Sequence, residues 1–321
     1  MRAAAILGLG SSTRDLKPFQ HNAHTEWVVG LPAQSDGLDA ILVFGGDGTV
    51  HRHLAALVKL DLPVLIVPAG SGNDFARALR LFAVRDSLAA WFKFMAGSAN
   101  IRVVDLGLIT PIDRARVEDS VAVAASGERG RPPLHRQSDK GTPVYFSCAA
   151  GVGLDGEIAR RANSLPRWLR AHGGYALSLP AALLGFQPFG LKLSVAHGEP
   201  AEFCLHTQEP VIAAVFANTP VYGGGMKVAP KAKMDDGLLD ICVIREISKL
   251  KLLSVFPSVY LGRHLGINEV DYVPAAQVRV ETEHPLDVYA DGEYVCSTPA
   301  EIGVERSALR VIVPASTSKE G

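Results

Sequence analysis

The chain has 321 residues, 48% of them apolar and 20% charged, with a formal net charge of −1. That is enough for two ordinary domains with their own cores, and it excludes a nucleic-acid protein driven by bulk electrostatics. Four scattered cysteines (Cys148, Cys204, Cys242, Cys296) form no CxxC pair, so buried free thiols in a reducing compartment are expected instead of disulfides or zinc.

The opening MRAAAILGLGSST has too short an apolar run for a signal peptide and reads as a first buried strand. No segment offers an unbroken apolar run of membrane length; the best, 175–193, is interrupted by Pro180, Pro188 and Lys192. A cytoplasmic protein is expected. The first strand, 3–9, ends in Gly8-Leu9-Gly10-Ser11-Ser12, where backbone amides could meet a phosphate. Residues 11–38 are poorly patterned, with 27–30 as a second strand and no convincing crossover helix.

The stretch 40–77 organises the rest. Strand 40–44 runs into Gly45-Gly46-Asp47-Gly48-Thr49, and strand 62–67 into Pro68-Ala69-Gly70-Ser71-Gly72-Asn73-Asp74. Both strands are continuous apolar runs, as for parallel strands covered on two faces. Between them Val50, Leu54, Leu57 and Val58 make one helical stripe, completing a βαβ unit. Gly45, Gly46 and Gly48 allow close backbone approach to a ligand, and the helix N-terminus at Thr49-Val50 favours phosphate. Asp47 is out of place beside phosphates unless a cation such as magnesium lies between them. In the second turn, Gly70, Gly72 and the Ser71 hydroxyl repeat the logic, and Asn73-Asp74 are expected to cap the next helix. A P-loop motif and a dinucleotide fingerprint are both absent.

Leu88, Trp91, Phe92 and Met95 mark a further helix, and Val103-Val104-Asp105-Leu106-Gly107 begins a strand. Residues 111–142 change character and read as a mobile insert, with Arg129, Arg131 and Arg136 available to an anionic surface. Beyond it the grammar is β-rich: strands are expected over 143–149, 190–196, 211–217, 238–244, 276–282, 286–290, 294–297 and 309–313. Asp291-Gly292 has the signature of a tight hairpin. Helices are expected within 155–184 and 247–265, giving an antiparallel sandwich with inserted helices.

GGDGT followed by PxG(T/S)xND closely resembles the diacylglycerol kinase catalytic-domain family in its bacterial soluble lipid kinase branch. The likeness continues through Ala149-Ala150-Gly151-Val152-Gly153-Leu154-Asp155-Gly156, Asn218 with Gly223-Gly224-Gly225, Pro230, Asp235-Asp236-Gly237-Leu238-Leu239-Asp240 and Asp291-Gly292-Glu293. The resemblance implies an N-terminal Rossmann-like α/β nucleotide-binding domain (1–110), the 111–142 linker, a C-terminal β-sandwich domain (143–315) and a tail (316–321). It implies an ATP- and magnesium-dependent kinase acting on the hydroxyl of diacylglycerol or a similar lipid alcohol. Gly45, Gly46, Asp47, Gly48, Thr49 and Ser71 would then contact ATP, with Gly70, Gly72, Asn73 and Asp74 completing the nucleotide site. Glu293 would be the general base, with Asp291 and Asp47 beside it. A structural magnesium would be held around Lys233, Asp236 and Leu238, the outer two through backbone carbonyls.

The chain departs from the family in places. Only 44 residues precede GGDGT, the usual NPxSG-type loop is missing, and His51 stands where asparagine is common. A lipid substrate requires peripheral contact with the inner membrane face. Residues 156–184, with Arg160, Arg161, Arg167 and Arg170 beside Trp168, read equally as that surface or as a solvated helix whose Trp and Leu side chains pack in the core. No nucleic-acid partner is expected, and a homodimer is left open. Two alternatives stand beside the lipid kinase. One is an NAD kinase-like enzyme, which shares GGDG but does not normally carry PAGSGND and DGE; the other is a non-catalytic nucleotide- or lipid-binding regulator.

Overall fold

The computed structural model describes residues 1–20, 25–35, 37–113, 141–164, 182, 185–197 and 202–314. The Arg-bearing part of the insert lies outside these residues, as does most of the helical stretch expected within 155–184.

Four parallel strands lie in the order β2 (Glu26–Val29), β1 (Arg2–Leu7), β3 (Ala40–Gly45), β4 (Val64–Pro68). Every residue of β3 and β4 is buried, which is why the sequence shows unbroken apolar runs with no alternation. Helix α2 (Asp47–Leu60) buries Val50, Leu54 and Leu57 against this sheet; Leu60 replaces Val58 in the buried stripe. Its C-terminus is closed by Asp61 in the left-handed region (φ 48°), whose amide returns to Leu57 and Val58.

A helix α1 (Thr13–Gln20) occupies the region where the sequence suggested none. It has two turns, contains Pro18, and buries only Leu16 and Phe19, too little to form a visible stripe. Phe19 meets Phe44 edge-on at 5.3 Å between ring centroids, and the N-terminal core closes with Trp91 of α4 (Val84–Met95). The short α3 (Asp74–Ala78) follows β4.

Strand β5 (Ile101–Pro111) runs antiparallel to the last strand, here β15 (Ala300–Ile312), from Ile101 opposite Ile312 to Pro111 opposite Ala300. At Val311, β15 also pairs in parallel with Val64 of β4. Leu309, Val311 and Ile312 therefore join the N-terminal core, whereas Ala300 and Ile302 at the other end join the core of the β-rich half. These two strands carry the chain between the two cores.

The β-rich half contains β6 (Val144–Phe146), β7 (Ala149–Gly153), β8 (Phe189–His197), β9 (Glu202–Ala217), β10 (Leu239–Arg245), β11 (Val270–Ala275), β12 (Gln277–Thr282), β13 (Asp287–Ala290) and β14 (Glu293–Ser297). Long β9 pairs with β8 along its first part and with β7 and β10 along its second. Helix α5 (Leu154–Ser164) follows β7, and α6 (Lys249–Val255) and α7 (Pro257–Tyr260) precede β11.

Three expectations are corrected here. The single strand 143–149 is two, broken at Ser147-Cys148, whose amides turn to a side chain instead of a ladder. Strand β11 went unread because 270–275 carries Asp271 and Pro274 and is only half-buried. Finally, Cys148, Cys242 and Cys296 are buried free thiols as expected, but Cys204 is exposed.

Candidate active site

The two glycine turns meet backbone to backbone. A Cβ on Gly46 would stand 2.8 Å from the Gly70 Cα, and one on Gly70 would stand 2.5 Å from the Gly46 Cα. Only glycine allows two parallel strand ends to approach this closely. On the other side, a Cβ on Gly8 or Gly45 would strike the Thr49 side chain. The Gly8 amide donates to the Phe44 carbonyl at 2.7 Å, so the first-strand turn lies against GGDGT despite its unusual sequence. Gly46, extended at φ −100° and ψ −171°, caps α2 with no side chain over the helix end. The Thr49 and Val50 amides both donate to the Gly46 carbonyl, at 2.9 and 3.1 Å, so it is the amides of Asp47 and Gly48 that have no carbonyl of this helix to bond, the arrangement that binds anions.

The second turn is clasped by Asn73, in the left-handed region at φ 54°. Its Nδ2 donates to the Gly70 carbonyl at 2.7 Å, and the Gly70 amide donates to its Oδ1 at 2.9 Å. Asn73 makes no side-chain cap for α3. The first amides of α3 are capped instead by Asp47: Oδ2 accepts from the Asp74 amide at 3.0 Å and Oδ1 from the Phe75 amide at 3.1 Å. This corrects the expected capping by Asn73-Asp74 and gives Asp47 a partner other than a cation. Burial and the nearby Asp74 raise the Asp47 pKa to about 6, against the two amides, which lower it.

Asp74 is buried and turned the other way. Its Oδ2 accepts from the Gly224 amide at 2.8 Å, in a loop where Gly223, Gly224 and Gly225 all have positive φ (65°, 82° and 107°). Its Oδ1 is buried and, among the described residues, accepts no hydrogen bond. Burial pushes its pKa up, although the Gly224 amide and Arg77 pull it down.

The Asp291-Gly292 turn between β13 and β14 has φ 50° and 86°, both positive as a type I′ hairpin requires. Asp291 is the best-satisfied carboxylate of the site. Its Oδ1 accepts from the Cys148 amide at 2.8 Å and the Ala149 amide at 3.4 Å; its Oδ2 accepts from the Ser147 amide at 2.7 Å and hydroxyl at 3.0 Å. His51 Nδ1 adds a contact to Oδ2 at 3.3 Å. Such a carboxylate anchors the hairpin, with both oxygens accepting from donors of the facing strand end. Glu293, two residues on, is exposed, and its Oε1 lies 3.0 Å from where a Cβ on Gly48 would be. The hairpin thus sets an exposed carboxylate over the first turn of α2.

The turn that includes Lys233, Asp236 and Leu238 is tied to the strand that joins the two cores. Asp105, buried in β5, accepts the Gly237 amide at 2.8 Å and the Ser307 amide at 2.7 Å. Fully buried Asn218 donates from Nδ2 to the Asp105 carbonyl at 2.9 Å and the Ser147 carbonyl at 3.0 Å. Asp236 is exposed, with Oδ1 accepting the Leu238 amide at 3.1 Å. One carboxylate and backbone carbonyls are hard oxygen donors, which fits magnesium retaining several waters. Among the described residues, no group of three His, Cys, Asp or Glu is arranged to hold a metal, so such a site would rest mainly on carbonyls and water.

Sequence reasoning missed Asp105 and the Ser147-Cys148 amides, which carry no motif, and saw His51 only as a departure. Of the expected membrane surface, Arg160 and Arg161 lie in α5 and both pair with Glu157 at 2.7 and 2.5 Å; Arg167, Trp168 and Arg170 lie outside the described residues. No described helix is long and apolar enough to cross a membrane.

A pair of glycine turns on parallel strands, faced by an acidic hairpin from a β-sandwich, defines a two-part nucleotide-handling fold. Residues 9–109 match the diacylglycerol kinase catalytic domain, and residues 148–313 match the YegS C-terminal NAD kinase beta sandwich-like domain. A diacylglycerol kinase of Mycobacterium tuberculosis is 34% identical over 297 residues, covering 91% of this chain and 82% of that protein. One from Bacillus subtilis is 24% identical, over 88% of this chain and 80% of its own. The chain belongs to the diacylglycerol kinase catalytic-domain family and is a kinase. A solved diacylglycerol kinase structure from Bacillus anthracis superposes with a TM-score of 0.62 at 18% identity, covering 98% and 97% of the two chains, a likeness of fold.

Proposed function

We propose that this kinase transfers the γ-phosphoryl group of ATP, with magnesium, to the hydroxyl of diacylglycerol or a similar long-chain lipid alcohol. The observation that carries the reading is the placement of Glu293: an exposed carboxylate 3.0 Å from the Cβ position of Gly48, over the amide-bearing start of α2. The names of the relatives support the lipid acceptor.

In this reading the amides of the GGDGT and PAGSGND turns hold the ATP phosphates, with Thr49 and Ser71 at their rims. Glu293 accepts the hydroxyl proton as the acceptor oxygen bonds to the γ-phosphorus. The bond from that phosphorus to the β–γ bridging oxygen breaks, and ADP leaves with the electron pair. A carboxylate base contributes about 10²–10⁴-fold, and phosphate positioning supplies much of the rest. Magnesium, when bound, neutralises phosphate charge; Lys233, Asp236 and Leu238 would hold a structural ion beside the cleft.

Incubating the protein with labelled ATP and a panel of diacylglycerols, sphingoid bases and NAD, with mass-spectrometric detection, tests the proposal. Phosphatidic acid as the product supports it. Phosphorylated NAD as the sole product would replace it with the NAD kinase-like alternative, and nucleotide binding without any product would favour the regulator.

A further inference from the structure

We infer that His51 is a positioning residue for this transfer, holding from α2 the hairpin that presents Glu293. The inference rests on the kinase reading above. Gly48 and His51 are three residues apart in α2 and share a helix face. Both meet the same hairpin: Glu293 Oε1 lies 3.0 Å from the Gly48 Cβ position, and Asp291 Oδ2 lies 3.3 Å from His51 Nδ1. The Asp291 side chain is fully buried and that of His51 is only 11% exposed, so solvent screens the contact weakly.

Among the described residues, the other groups that hydrogen-bond the Asp291 carboxylate are uncharged: the amides of Ser147, Cys148 and Ala149 and the Ser147 hydroxyl. His51 is the partner that can bring a positive charge. An asparagine here could donate the hydrogen bond but never the charge.

The charged and titratable surroundings of this pair are identifiable on each element. On α2 itself Arg52 opposes protonation of His51, while Asp291 and Glu293 on the hairpin favour it. Asp47 on α2 and Asp74 on α3 stand near Asp291. The Cys148 thiol on the facing strand is pushed far up by burial and by these carboxylates, so it stays neutral. Burial pulls the His51 pKa down, but the hydrogen bond and charge of Asp291, helped by Glu293, outweigh it and lift the pKa above its ordinary value. Below that pKa the imidazolium holds the hairpin; above it the tie weakens and Glu293 is less well placed.

Two measurements on the full chain test this. Histidine-selective ¹⁵N NMR, with His51 assigned through His51→Asn, should show a ring pKa above the ordinary value of about 6.5 that falls in Asp291→Asn. The pH profile of kcat on a short-chain diacylglycerol should show an alkaline fall of about tenfold in the wild type. His51→Asn should lose that limb and keep KM for ATP within about twofold; His51→Gln serves if the asparagine variant does not fold. An unshifted His51 pKa, or the same alkaline limb in the variant, overturns the inference. A raised His51 pKa in a protein that phosphorylates no lipid would sink the lipid-kinase reading, and the positioning role with it, while leaving the ion pair standing.

Discussion

Asp47 caps the helix that begins with Asp74: its two carboxylate oxygens accept the Asp74 and Phe75 amides at 3.0 and 3.1 Å. One acidic residue in the first glycine turn therefore fixes the second turn, and the two glycine turns form one unit. Removing the cap in Asp47→Ala should cost about 1 kcal/mol of stability and weaken ATP binding together. Denaturant unfolding and nucleotide titration on the same variant check both effects.

The same residue gives a pH dependence with a definite sign. The folded pKa of about 6 lies above the ordinary carboxylate value of 3.8. Between these values the native state binds more protons than the unfolded chain, so stability falls as pH rises through about 6. Asp47→Asn removes this titration. The stability of wild type relative to this variant should therefore fall as pH rises from about 3.8 to about 6 and change no further above that, measured by urea unfolding at each pH.

Gly46 and Gly70 test the contact between the turns. In Gly46→Ala the new Cβ meets the Gly70 Cα at 2.8 Å, and in Gly70→Ala it meets the Gly46 Cα at 2.5 Å. Each neighbour is backbone, so the strand ends must separate, at a cost of about 1–3 kcal/mol. The double variant should cost less than the sum, because one separation accommodates both methyl groups. Thermal unfolding of the four proteins completes the cycle.

The two carboxylates of the hairpin should answer differently to substitution. Asp291→Ala strands the buried Ser147 and Cys148 amides and should destabilise the fold by about 1–3 kcal/mol per unsatisfied group. Glu293→Gln touches an exposed side chain and should leave the melting temperature within a degree or two of wild type, with kcat lower by about 10²–10⁴-fold. Calorimetry and initial rates on both variants separate anchor from base. Full activity in Glu293→Gln would remove Glu293 from the proposed chemistry.

Asp105 should matter although no motif contains it. Asp105→Ala leaves the Gly237 and Ser307 amides without their acceptor and should cost about 1–3 kcal/mol. Hydrogen exchange should quicken at both 233–238 and 305–309, two segments far apart in sequence. Protection lost in only one of them would show that Asp105 does not couple the two.

Much of this site was legible in the chain because its glycines and acids cluster locally. Residues 40–77 declare two apolar strands, a striped helix and two glycine turns within one window. Asp291-Gly292 likewise announces its own hairpin, since few pairs tolerate two consecutive positive φ values. Helix α1 was hidden because Leu16 and Phe19 alone face the core, and β11 because its strand is half-buried with Pro274 near its end.

The stretch 40–77 by itself determined the two strands and their glycine turns, because backbone geometry needs glycine where chains approach and apolar residues where strands are covered. Tertiary structure alone decided the partners. Asp47 turns to the Asp74 amide, Asp74 to Gly224, and Asp291 to Ser147, Cys148 and His51. Each is a long-range choice made by burial: a carboxylate removed from water takes the nearest unpaired amide or cation, and which one lies nearest depends on how β5 and β15 bring the two cores together.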